Sequence, residues 1–131
     1  MATKILLLGK LIYAAITSDT GLAAKVGTKV FPIVAPAETT YPFVVYTRSN
    51  AGSTIHTKDA WMGDAGSFQI TVVDDNYNDA VTIAEDIRQL LEDHVIYNSE
   101  LKLFNIRMVS SSENFSDDTF TETLYFECEA E

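Results

Sequence analysis

The chain has 131 residues, 9 Lys+Arg against 19 Asp+Glu, a formal net charge of −10 and a hydrophobic fraction of 47%. That length fits one domain, residues 1–131, with enough apolar matter for a core that needs no covalent staples. The single cysteine excludes an internal disulfide and a zinc–cysteine or iron–sulfur framework within one chain, and the acidity argues against a surface that grips nucleic acid by neutralising phosphates.

The first predicted element is a helix from about Lys4 to Ser18, capped by Thr3, with Leu8, Leu11, Ile12, Ala15 and Ile16 at three- and four-residue steps. Asp19 or Thr20 then caps a short helix over Gly21–Val26, and Gly27 stands where a left-handed residue ends a helix. A strand follows at Lys29–Ile33, where Pro32 suggests an edge strand or a strand end. After a loop over Val34–Tyr41 comes a strand at Pro42–Ser49, apolar enough to expect cover on both faces. Residues Asn50–Asp64 are rich in Gly, Ser, Thr and Asp and read as a long hairpin arm or loop. The next strand, Gly66–Asp74, sets Phe68, Ile70 and Val72 against Gln69, Thr71 and Val73. A second main helix, Tyr77–Asp93, carries the stripe Ala80, Ile83, Ala84, Ile87, Leu90 and Leu91. Two adjacent strands, Leu101–Ser110 and Phe120–Ala130, flank a polar turn at Ser110–Asp118. The expected fold is α+β: a two-layer domain with two main amphipathic helices on one face of a mostly antiparallel, mixed sheet of about five strands.

Charge is unevenly spread. Residues 1–48 hold five basic and two acidic side chains, a balance of +3, which leaves −13 for residues 49–131. A mildly basic part and a strongly acidic part suit head-to-tail contacts between copies. Near the start, Lys10 splits the apolar run into Ile5–Leu8 and Leu11–Ile16. Each piece is shorter than a signal-peptide core, and no stretch approaches the length of a membrane span. The expectation is a soluble protein of a reducing compartment with no membrane partner.

Motifs for chemistry are sparse. DDNYNDAVTIAE places Asp74, Asn76, Asn78 and Glu85 near the spacing of a calcium-binding EF-hand loop. Yet Asp79 stands where that loop needs glycine, and a β-type run precedes it instead of a helix. The competing reading is that Asn76 or Asn78 caps the following helix. His56 and His94 fall in no metal-ligand spacing, and Cys128 has the inward register of the last strand, a core position. GxSxG, Walker A and GxGxxG motifs are absent from the sequence. The expected site list is therefore empty for catalytic, cofactor and metal residues. Ile55, Trp61 and Met62, with His56 beside them, are large residues in a polar arm and candidates for contact with a neighbouring subunit or a tail.

The succession of a helix, GLAAKVGTKVFPIVAPAETTYPFVVY, a polar arm, GSFQITVVDDNYNDAVTIAEDIRQLLED and two strands resembles the tail-completion (tail-terminator, head–tail joining) proteins of long-tailed bacteriophages and prophages. The resemblance covers residues 5–128. It implies a non-enzymatic subunit of a ring, usually a homo-hexamer, that needs no cofactor. Such a ring caps the tail tube, meets the tube protein and the head connector, and belongs to the virion after assembly in the bacterial cytoplasm. DNA would pass through without specific binding, so acidic side chains facing the lumen, from Asp79, Glu85, Asp86, Glu127 and Glu129, would repel phosphate. The alternatives are another phage morphogenesis protein, of head completion or the tail tube, or a small acidic metal-binding domain built on Asp74–Glu85.

Overall fold

The computed structural model describes residues 3–56 and 61–131, with side chains described outside residues 53–62. After a 3₁₀ turn at Ile5–Leu7, helix α1 spans Leu8–Ser18 and α2 spans Thr20–Val26. The two axes meet at 88° because Asp19 turns extended (ψ 122°) and its carboxylate accepts the Leu22 N–H at 3.0 Å. This is the cap expected for the second helix. Gly27 follows at φ 62°, a conformation costly for any residue with a Cβ. Thr3, by contrast, caps nothing. Its N–H and hydroxyl both reach across to the Asp64 carboxylate, and the first helical turn has no side-chain cap.

Strands β1 (Val30–Pro32), β2 (Phe43–His56), β3 (Trp61–Asp74), β4 (Ile96–Tyr97), β5 (Lys102–Ser116) and β6 (Thr119–Ala130) form one sheet in the order β1-β2-β3-β6-β5-β4. Only the β1–β2 pair is parallel. The sheet has six strands rather than about five, since the two-residue β4 is too short to show a period. Strands β3 and β5 both run antiparallel to β6, which lies between them. The connection through α3 (Tyr77–Leu91) is thus a crossover between parallel strands with a third inserted.

Register explains the two-layer packing. On one face Val44 lies beside Val72, Phe68 beside Phe126, and Ile70 beside Leu124, and all six are buried. Helix α1 adds Leu8, Leu11, Ile12 and Ile16, and α3 adds Ala80, Ile83, Ala84, Ile87 and Leu91. The Phe68 and Phe126 rings stack with centroids 5.2 Å apart at the centre. Gly9 lets α1 approach closely: a Cβ there would stand 3.0 Å from the Tyr46 ring. The other sheet face carries no helix. There Phe43, Val45 and Thr47 stay half-buried, so the expected cover on both faces of β2 is absent: all the described helices lie on the face of Val44.

Both hairpins are longer than their hydrophobic patterns. The described parts of the expected arm, residues 50–56 and 61–64, continue β2 and β3, with register shifts from Arg48 onward that interrupt regular pairing. The expected polar turn at Ser110–Asp118 is mostly strand as well. β5 runs to Ser116, and the turn proper is Asp117–Asp118, at φ 54° and 62°. Two successive positive φ values mark the tight turn that matches strand twist, and aspartate tolerates them better than most residues.

Candidate functional site

No group of three or more His, Cys, Asp or Glu side chains is placed to hold a metal ion among the described residues. The DDNYNDAVTIAE segment splits between two elements. Asp74 ends β3, the Asn76 side chain accepts the Asp79 N–H at 3.1 Å, and helix α3 begins at Tyr77. The segment is a helix start rather than a loop that could wrap an ion. Burial pushes the Asp74 carboxyl up, which disfavours its charged form. Cys128 is buried and its thiol is pushed up to about 11 by desolvation, so it is a core residue and a poor nucleophile. His94 is exposed beyond α3, with Nδ1 2.9 Å from the Glu92 carbonyl oxygen.

The arm candidates Ile55, His56, Trp61 and Met62 have strand backbone near the end of the β2–β3 hairpin, where His56 is opposite Trp61. Their side chains lie outside the described residues. Asp64, at the base of the same arm, is buried and holds Thr3. Nothing in its polar surroundings in the sequence signalled that tie.

The five acidic candidates fall into two sets on opposite sides of the sheet. Asp79, Glu85 and Asp86 lie on α3, away from its buried stripe. Asp86 forms an ion pair with Lys25, whereas Glu85 accepts from the neutral Gln89 amide at 2.9 Å. Glu127 and Glu129 alternate with buried Phe126, Cys128 and Ala130 and so project from the helix-free face. Glu127 is 2.8 Å from Arg107, and Glu129 accepts from Asn105.

A carboxylate pair escaped the sequence reading. Glu113 on β5 and Glu122 on β6 stand directly opposite each other. Glu122 is 8% exposed, and Tyr77 donates to Glu113 at 3.0 Å. Burial, then the hydrogen bond and charge of Glu113, push Glu122 up to about 7. The signal was available in strand parity, since Glu122 shares the inward register of Leu124 and Phe126.

The family model of the tail completion protein gp17 matches residues 10–130. The chain belongs to that family. Its fold is also similar to a chain solved in the virion of a native gene transfer agent particle, with a TM-score of 0.76 and 21% identity over 91% of this chain and 90% of that one. A second solved structure aligns with a TM-score of 0.65 and 16% identity, over 94% of this chain and 95% of the other. No curated protein matches. The family is a phage tail-completion family, which agrees with a structural role and with the resemblance read from the sequence.

Proposed function

We propose that this protein is a non-enzymatic, cofactor-free subunit of a ring, a homo-hexamer, that caps the phage tail tube and joins it to the head connector. The observation that carries the reading is the family match across residues 10–130. The protein assembles in the host cytoplasm and ends in the virion, in contact with the tube protein and the connector. The β2–β3 hairpin, with Ile55, His56, Trp61 and Met62 toward its end, is the proposed arm for a neighbouring subunit or the tube. Helix α3 is the better candidate for the lumen wall, because two of its three acids, Asp79 and Glu85, form no ion pair among the described residues, against one, Glu129, on β6. Uncompensated carboxylates repel phosphate, so DNA slides without being captured.

Light scattering with negative-stain imaging, of the protein alone and mixed with tail tubes, tests the ring. Closed six-subunit rings on tube ends support it, and open tubes made of this protein alone would overturn it in favour of a tube subunit. For the lumen, the double variant Asp79→Lys/Glu85→Lys should still form rings but shift DNA in a gel at low salt, where the wild type does not. Equal DNA binding by both proteins would remove α3 from the channel.

A further inference from the structure

The sheet has two open edges, β1 and β4, and they are complementary. At the β1 edge Ile33 and Val34 are 74% and 72% exposed. Ile33 is also held at φ 69°, a region that a β-branched residue enters only at a cost. The chain thus keeps a strained turn whose apolar side chain meets no core. The outward backbone of this edge is poorly suited to strand addition. Pro32 has no N–H, the Val30 N–H is taken by the Thr28 carbonyl at 2.8 Å, and the Pro32 carbonyl accepts from Val34 at 2.7 Å. A partner must therefore meet side chains rather than extend the sheet. Lys29, beside them, donates to the Thr40 carbonyl at 3.1 Å and has no ion-pair partner among the described residues.

The β4 edge presents the matching set. Val95 and Tyr97 are 52% and 72% exposed. Asp93, just before them, has no ion-pair partner among the described residues. Each edge thus carries two large exposed apolar side chains and one uncompensated charge, of opposite sign. A complementary pair of different surfaces on one chain makes a heterologous contact, the kind that closes into rings or runs on into filaments. We infer that Ile33 and Val34 of one copy dock against Val95 and Tyr97 of the next, with Lys29 facing Asp93. This inference rests on the ring reading, and it names the ring's subunit interface.

Cysteine cross-linking tests it. Ile33→Cys and Tyr97→Cys are both at exposed positions, and the natural Cys128 is buried and serves as the silent background. The proteins are oxidised at high concentration, alone and with tail tubes. The double variant should give a ladder of covalent oligomers. The two single variants should give a dimer only when mixed, and Ile33→Asp should weaken association at least about tenfold. Rings in the micrographs without cross-links would overturn the edge contact and leave the ring standing. A ladder that ends in open filaments would support the contact and overturn the ring. Dimers from either single variant alone would show a symmetric interface and overturn the contact. Neither oligomers nor cross-links in any condition would overturn both.

Discussion

Strand β6 passes through two environments, and the contrast between them organises the molecule. From Leu124 to Ala130 every second residue is buried beneath the helices, with Phe126 stacked on Phe68. From Thr119 to Glu122 the same strand pairs with Glu113–Ser116 of β5, whose residues are all exposed. Both halves pair with β5, yet the buried apolar residues of β6 all lie in one of them. Hydrogen-bonded strand alone adds little net stability, whereas buried apolar area adds much. The core half should therefore govern folding, and the hairpin half should be free to serve contacts.

The largest test of this contrast is a matched pair of truncations. Phe126→Ala should cost about 3–5 kcal/mol of unfolding free energy, and Phe115→Ala, at the exposed end where the ring leans on Phe120 4.7 Å away, no more than about 1 kcal/mol. Urea unfolding followed by circular dichroism measures both, and equal losses would break the comparison. The next effect has the opposite sign. Glu122 has its folded pKa raised to about 7 from an ordinary 4.5, so the folded state binds the proton more tightly than the unfolded state. Its contribution is most favourable below pH 4.5 and is lost as pH rises through 7. Glu122→Gln should therefore stabilise the protein at pH 8, by on the order of 1–2 kcal/mol, and change little at pH 4.5. A pH series of thermal melts checks this, and a pH-independent difference would show that Glu122 does not titrate with a raised pKa in the folded state.

Smaller effects sharpen the picture. Asn76→Ala removes the α3 cap and should cost about 1 kcal/mol, a loss visible in the same urea titrations. At the hairpin tip, replacing Asp117-Asp118 by Asn-Gly suits the two positive φ values better. It should stabilise by about 0.5 kcal/mol or less while leaving Phe126 packing unchanged. A destabilised hairpin would show that the aspartates make contacts beyond their turn.

Much of the fold was legible because period reports burial. The stripes of α1 and α3 and the alternation Phe68–Ile70–Val72 each name the face that meets the core, and the structure places them there. Capping was narrowed to two residues at each of two helix starts, and the structure selects Asp19 over Thr20 and Asn76 over Asn78. It was misread at Thr3, because a distant carboxylate, Asp64, competes for the same hydroxyl and N–H. The extension of the β5–β6 hairpin was missed because an exposed strand such as Ser110–Ser116 carries no apolar alternation, its pairing being satisfied by the partner strand alone. The family was legible from the order and spacing of its elements. The candidate site was legible only as a set of residue types.

The charge asymmetry marks the boundary between sequence and structure. The −10 total and its division into +3 and −13 are properties of the chain alone. Folding partly erases the division, since Lys4 pairs with Glu100 and Lys25 with Asp86. What remains at the two edges, Lys29 near Ile33 and Asp93 near Val95, depends on strand order, which puts β1 and β4 at opposite ends of one sheet. The opposite faces of the α3 and β6 acids depend on it too. Local periodicity determines which side of each element is apolar, because burial is decided residue by residue along a helix or strand. Only the tertiary structure decides which charges meet, because Coulomb interactions depend on distances across the fold and not on separation along the chain.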